Sequence, residues 1–450
     1  MRVGTMPQMR TWWYFFTREV LVWYYKSINR PLCAILLHDR NFMHHTVKVL
    51  FIHPNFPGQY RGIAPALHAK GHEVSAMSLI HEPTVAGIPN TTYQVEKLNV
   101  QGNLHRWVGG VNEAVMRGEA VAKVLQAWAK QGHTPDVVIG HSGWGEMLFV
   151  KDILPHAKVI SFCEYFYKQL GADVAFDPEF TDPDAPLQAA NSHVRNMHAT
   201  MSLLNSDVGV APTEWQASLF PKALRERMTV IHEGIDTSAL KPSSDVWVKL
   251  GRHDAPFRRG DEIMTFVNRN LEPMRGYHQF MRALPAIQKA RPNARIVIVG
   301  GDGVSYGPKP VGMSYKERYL NEVRGQLDMN RIHFVSRIPY PTLIKLLQVS
   351  AAHIYLTYPF VLSWSMLEAM SLGALVIGSK TPPVEEVITH GHNGLLTDFF
   401  SPSELANTVI DVLKNPSAYA PLREHARQTV IDKYDFETVS LPAYEALLTS

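Results

Sequence analysis

Along most of this chain apolar residues come in short blocks, and the blocks alternate between two spacings. Val47-Lys-Val-Leu-Phe-Ile52 is a nearly continuous apolar run, the pattern of a strand buried on both faces of a parallel sheet. A turn, His53-Pro-Asn-Phe-Pro-Gly58, follows, and the spacing then predicts a helix from about Tyr60 to Lys70, stopped by Gly71. His72–Met77 returns to strand, and Asn112–Lys130 reads as a long helix. Asp136–Gly140, Lys158–Cys163 and Asp207–Pro212 continue the strand series. This alternation predicts a doubly wound α/β domain.

The pattern then restarts. Glu262–Asn268 reads as a strand, followed by an irregular Arg/Pro/Gly turn and a helix near Tyr277–Ala290. Ala294–Val299, Arg331–Val335, His353–Thr357 and Ala374–Ile377 read as further strands, with helices between them. The expected organisation is a first domain over residues 43–240 and a second over 241–430, joined through Lys241–Gly260, which is rich in Pro, Ser and charge. A helical tail, 431–450, is expected to cross back to the first domain. Two such domains imply a cleft between them, and ligands of these sheets bind beyond the carboxyl ends of the strands.

Residues 1–42 do not share the pattern. Trp12, Trp13, Tyr14, Phe15, Phe16, Trp23, Tyr24 and Tyr25 crowd one stretch, broken by Arg18, Glu19, Lys26 and Arg30, with no single helical face. Thr17-Arg18-Glu19 divides the apolar stretch, so it is a poor signal peptide. Two readings stand: an over-long start, with the true beginning at Met43, or an aromatic and basic anchor for peripheral contact with a membrane surface. Those residues hold six basic and two acidic side chains, a net +4 against +3 for the whole chain. The remainder is therefore close to neutral, which gives no support to general nucleic-acid binding. Two cysteines, Cys33 and Cys163, cannot form a disulfide framework and fit a reducing compartment. No apolar run approaches the length of a membrane span.

The expected strand ends carry the candidate chemistry. A Walker sequence is absent, and no Gly-x-Gly-x-x-Gly follows the first strand; Gly300-Gly-Asp-Gly303 alone reads as a tight turn. After the strand at Phe266 comes Asn268-Arg269-Asn-Leu-Glu-Pro-Met-Arg275-Gly276. Two guanidiniums six residues apart at a helix start suit a diphosphate, or are two solvated arginines. In Tyr358-Pro-Phe-Val-Leu-Ser-Trp-Ser-Met-Leu-Glu-Ala-Met-Ser-Leu-Gly373, Ser363 can cap a helix whose first amides, at Ser363, Trp364 and Ser365, would face an anion. Glu368 in that helix would accept from a ribose diol, or is a core carboxylate satisfied by backbone.

Together these residues resemble the retaining nucleotide-sugar glycosyltransferases of family 4, which have the GT-B fold: two Rossmann-like domains facing each other across a cleft. In that family an Arg and a Lys six residues apart cradle the donor diphosphate, and Arg269 and Arg275 match them, with Arg in place of Lys. The ribose-holding Glu lies in a Leu-Glu-Ala-Met run, here Leu367–Met370. Gly234-Ile-Asp236 is similar to the family's Gly-Val-Asp at the end of the first domain. The resemblance places the nucleobase against Arg337 and Ile338, and the first glycine loop at Gly58. It places a cleft histidine at His141, which would hydrogen-bond the donor sugar or position the acceptor hydroxyl. Glu164, after its strand, is an acceptor contact or base, or a helix-start carboxylate. Two departures stand out. Phe360 occupies the position of the family's first Glu, eight residues before Glu368, and one glycine replaces the usual Gly-Gly pair in the first loop.

The expected reaction moves a sugar from a UDP- or GDP-linked donor to a hydroxyl of a glycan or lipid-linked acceptor, in cytoplasm or at the inner face of a membrane. The arginines and the helix start would stabilise the departing diphosphate, so no metal is required. Asp182-Pro-Asp184 has metal-ligand spacing but reads as a solvated acidic loop. The competing readings are a sugar-nucleotide epimerase or phosphorylase of the same fold, and a nucleotide-sugar-binding protein that has lost catalysis, the last motivated by Phe360.

Overall fold

A computed structural model describes residues 46–81, 85–96, 104–180, 185–251 and 255–449. The expectations for residues 1–42, including Cys33, and for Asp182-Pro-Asp184 lie outside the described residues. The chain builds two all-parallel sheets. The first contains β1 (Lys48–Ile52), β2 (Glu73–Ser78), β3 (Asn90–Thr92), β4 (Val137–His141), β5 (Lys158–Phe162), β6 (Val208–Ala211) and β7 (Met228–Val230), in the order β3-β2-β1-β4-β5-β6-β7. A two-stranded antiparallel ribbon, β8 (Trp247–Val248) with β9 (Phe257–Arg258), lies in the linker region. The second sheet contains β10 (Ile263–Asn270), β11 (Arg295–Gly301), β12 (Ile332–Val335), β13 (Ala352–Tyr355), β14 (Val376–Ser379) and β15 (Leu395–Thr397), in the order β12-β11-β10-β13-β14-β15.

Counted from its own first strand, each sheet runs 3-2-1-4-5-6, with a seventh strand added at the end of the first, and the reversal beside strand 1 opens a ligand crevice. This is the GT-B architecture. The central strands β1, β4, β10 and β13 are buried almost throughout, as their unbroken apolar runs require. Strands β3, β7 and β15 have three residues each, too short for a periodic signal. The helix expected from Tyr60 is divided. Gly58–Arg61 is a 3-10 turn, with the Tyr60 amide bonded to the Pro57 carbonyl, and the α-helix begins at Ile63.

The chain passes between domains twice, and the two passages pair: Ile235 forms a parallel bridge with Asp435. Beyond it, Phe436, Leu441, Tyr444 and Leu448 pack into the first domain's core with Phe51, Tyr60 and Phe162. A segment after β5 also crosses. Asp177 accepts from Tyr358 Oη at 2.8 Å and pairs with His278 Nε2 at 2.9 Å, while Phe176 packs against Tyr358, Phe399 and Phe400. In addition, the Glu386 carboxylate takes the amides of Glu214 and Trp215.

Candidate active site

Polar side chains gather where the carboxyl ends of the two sheets face each other. On the first domain, β1 delivers His53, β4 delivers His141, and Glu164 lies two residues past β5. His53 is fully buried; its Nδ1 accepts from the Asn55 amide at 3.0 Å and its Nε2 lies 2.7 Å from Gln59 Oε1. Gln59 Nε2 donates to Glu164 Oε1 at 3.0 Å. Glu164 Oε2 lies 3.5 Å from His141 Nε2, and His141 Nδ1 accepts from the Gly143 amide at 2.9 Å. The His141 ring stacks on Trp144 with centroids 4.0 Å apart. Burial drives the His53 pKa down to about 3. Burial would raise that of Glu164, but the neighbouring His141 imidazole, then Gln59, hold it below the ordinary carboxylate value.

Gly58 has φ +47°, and a Cβ there would stand 2.3 Å from the His53 ring, so the loop admits only glycine in this conformation. Beside this group lies a pocket of about 80 Å³ lined by His141, Trp144, Glu164, Tyr165, Tyr167 and Arg195, among others. Cys163, next to Glu164, is buried, and burial pushes its thiol up to about 12, which disfavours the thiolate.

On the second domain, β10 carries a bulge between Val267 and Asn270, which places Asn268 and the exposed Arg269 at its end. Arg275 closes a 3-10 turn, and Gly276, at φ +68°, starts the helix Tyr277–Ala290. Arg275 is buried: its Nη1 donates to Thr357 Oγ1 at 2.8 Å and to the Val361 carbonyl at 3.1 Å. Hydrogen bonds also link it to Tyr306 and Tyr355. Tyr355 Oη accepts from the Ser363 amide at 2.7 Å, so one phenol joins the arginine to the start of helix Trp364–Ser371. That contact corrects one expectation. The Ser363 amide is spent on Tyr355, and the Ser365 amide faces the Ser363 hydroxyl at 3.4 Å, so two of the three amides expected to face an anion are already engaged.

Glu368 is buried and is not satisfied by backbone. Its Oε1 accepts from Tyr340 Oη at 2.7 Å and from Arg61 Nη2 of the first domain at 3.4 Å. The Arg61 guanidinium lies over Trp364, 3.9 Å from the ring centre. Ile338 packs against the second domain's core and Arg337 is exposed, two and three residues before Tyr340. The structure thus brings Gly58, His141, Glu164, Trp364 and Glu368 to the cleft and joins Arg275 to Ser363.

Two carboxylates were missed. Glu272 lies between the arginines in sequence, is buried, and its Oε2 accepts the amides of Ser305 and Tyr306 at 3.0 Å each. Burial raises its pKa to about 7 against the hydrogen bonds and the charges of Arg275 and Arg269. It thereby pins the loop after β11 beside Arg275, whose guanidinium lies 5.4 Å from the Tyr306 ring centre. The glycines that end β11 are there for close approach: a Cβ on Gly300 would meet Leu271 at 2.7 Å and one on Gly301 would meet Asn270 Oδ1 at 2.7 Å. Glu233, after β7, is raised by burial to about 7 and hydrogen-bonds Trp364. Phe360 is buried against Tyr165 of the first domain and Tyr306 of the second, with ring centroids at 4.7 and 4.8 Å.

Residues 70–240 match the family model described as Glycosyl transferase family 4 group, and residues 252–429 match Glycosyl transferases group 1. The chain belongs to the family 4 type of GT-B glycosyltransferases. This glycosyltransferase is 25% identical to spore coat protein SA of Bacillus subtilis over 238 residues, 51% of this chain and 61% of that protein. It is 24% identical to a glycogen synthase of Mycobacterium tuberculosis over 232 residues, 52% of this chain and 50% of that one. The chain spans about half the length of these curated relatives, 61% and 50%. In fold, the glycosyltransferase is similar to sucrose-phosphate synthase from Thermosynechococcus elongatus, with TM-score 0.68 and 15% identity over 89% of this chain and 98% of that one. It is also similar to Anabaena HepE in complex with UDP, with TM-score 0.61 and 17% identity over 90% and 100%.

Proposed function

We propose that this glycosyltransferase moves a sugar from a UDP- or GDP-linked donor to a hydroxyl of a glycan or lipid-linked acceptor, retaining the anomeric configuration and requiring no metal. The observation that carries the reading is the convergence on one cleft of a cationic group, Arg275 with its Tyr355 and Ser363 neighbours, and an acid–imidazole pair, Glu164 with His141. HepE, similar in fold, has been determined with UDP-glucose, which favours a UDP-sugar.

Glu368 accepts from the nucleoside ribose, and Arg337 with Ile338 lines the base. The acceptor oxygen attacks the anomeric carbon as the bond from that carbon to the diphosphate oxygen breaks. Negative charge grows on the diphosphate, and Arg275 and Arg269 stabilise it. Glu164 Oε2 accepts the hydrogen bond of the acceptor hydroxyl and His141 Nε2–H donates to the donor sugar. The hydroxyl proton ends on the departing diphosphate. Among the described residues no helix is long and apolar enough to cross a membrane. We place the reaction in cytoplasm, at the membrane face when the acceptor is lipid-linked.

The test is incubation with UDP- and GDP-sugars and a panel of hydroxyl acceptors in EDTA. Acceptor-dependent release of nucleoside diphosphate, with the product anomer read by NMR, supports the reading. An inverted product or metal-dependent turnover overturns its finer parts. Donor binding without turnover would favour the degenerate reading that Phe360 motivates.

A further inference from the structure

We propose that Gln59 is a positioning residue: wired to His53 behind it, it fixes the orientation and charge of Glu164 for transfer. This rests on the reading of Glu164 above. A backbone amide can only donate, so the Asn55 amide at 3.0 Å makes His53 Nδ1 an acceptor and puts the ring proton on Nε2. That N–H must donate to Gln59 Oε1 at 2.7 Å, which leaves the Gln59 amino group to donate to Glu164 Oε1 at 3.0 Å. Both ends of the amide are determined, so its orientation is not free.

The same logic applies to His141. Its Nδ1 accepts from the Gly143 amide, so Nε2 carries the proton, yet it stands 3.5 Å from Glu164 Oε2 and has no hydrogen-bond partner. Glu164 is thus tied at one oxygen and open at the other, beside an unpartnered donor. An acceptor hydroxyl donating to Glu164 Oε2 and a donor-sugar oxygen accepting from His141 Nε2–H complete the gap. Burial keeps His53 neutral, so the relay holds its direction through the neutral range. The titratable groups facing Glu164 are His53, His141, Tyr60, Tyr167 and Glu233.

Two variants cut the relay. Gln59→Leu removes both bonds. His53→Asn retains an acceptor for the Asn55 amide but cannot reach Gln59, so it serves if Gln59→Leu fails to fold. In the wild type, 15N NMR of histidine should show His53 with its proton on Nε2. In either variant kcat should fall about tenfold or more, with KM for the nucleotide sugar within about twofold. In Gln59→Leu the acid limb of kcat/KM should also move to higher pH, because Glu164 loses a donor that favours its charged form. Gln59→Glu, adding a like charge, should move the limb further. A folded variant with wild-type kcat and pH profile overturns the proposal, as does His53 protonated on Nδ1. If the wild type transfers no sugar from any donor, the transferase reading fails, while the tautomer still decides the wiring.

Discussion

Arg61, from the first domain's opening loop, meets Glu368 of the second at 3.4 Å and covers the Trp364 ring. The ribose-binding candidate is therefore held by a cation from the opposite domain. Arg61 is about one-third exposed, 31% for its side chain, so the pair contributes under ~1 kcal/mol to stability. Its larger effect is on how the domains meet. Arg61→Ala should leave the melting temperature nearly unchanged and increase the radius of gyration of the nucleotide-free protein in X-ray scattering. Identical scattering curves would show that the pair does not hold the cleft.

Arg269→Ala and Arg275→Ala should each lower kcat/KM strongly, since losing one preorganised contact to developing charge costs about 2.7–4 kcal/mol. The two differ in stability. Arg269 is exposed, so its variant should melt like the wild type. Arg275→Ala strands Thr357 and the Val361 carbonyl and should melt lower. Steady-state kinetics with differential scanning fluorimetry separate these outcomes; near wild-type turnover in either variant removes that arginine from the site.

Glu368→Ala should weaken UDP or GDP binding, because the ribose loses an acceptor and Tyr340 Oη loses its bond to Glu368, a loss of about 1–3 kcal/mol. Glu368→Gln retains one acceptor oxygen and should be milder. Calorimetry with the free nucleotide measures both. Unchanged affinity in the alanine variant would make Glu368 purely structural.

Glu272 sets a pH dependence of stability. Its folded pKa is raised from 4.5 to about 7, so between those values the native state binds more protons than the unfolded chain. Its contribution to stability is thus present below pH 4.5 and lost as pH rises through about 7, at up to about 1.4 kcal/mol for each unit of offset. Glu272→Gln should remove that loss. His53 and His353 act in the opposite sense: their folded values fall from 6.5 to about 3 and about 4, so their stability is lost as pH falls below 6.5. Denaturant midpoints of the wild type and Glu272→Gln at pH 5 and pH 8 decide it. An equal pH slope in the two proteins would exclude Glu272 as its source.

The sequence by itself determined the parts whose signal is local. Apolar runs such as Val49–Ile52 and Ile296–Val299 fit strands buried on both faces, and their alternation with helical segments made the two doubly wound domains legible. Arg269, Arg275 and His141 stood out as candidates because they follow strands, where such folds bind ligands, and Glu368 because its helix run resembles the family's. What only the tertiary structure decided depends on pairings distant in sequence. Glu368 owes its partner Arg61 to a residue 307 positions away, and Glu164 owes its Gln59 contact to one 105 positions away. The Ser363 amide was expected to be free, yet Tyr355, on the preceding strand, satisfies it. Glu272 and Glu233 gave no signal, since a carboxylate in a loop looks solvated until the fold buries it and raises its pKa. Period and spacing fix which faces are buried; which polar groups meet there depends on how the two sheets are brought together.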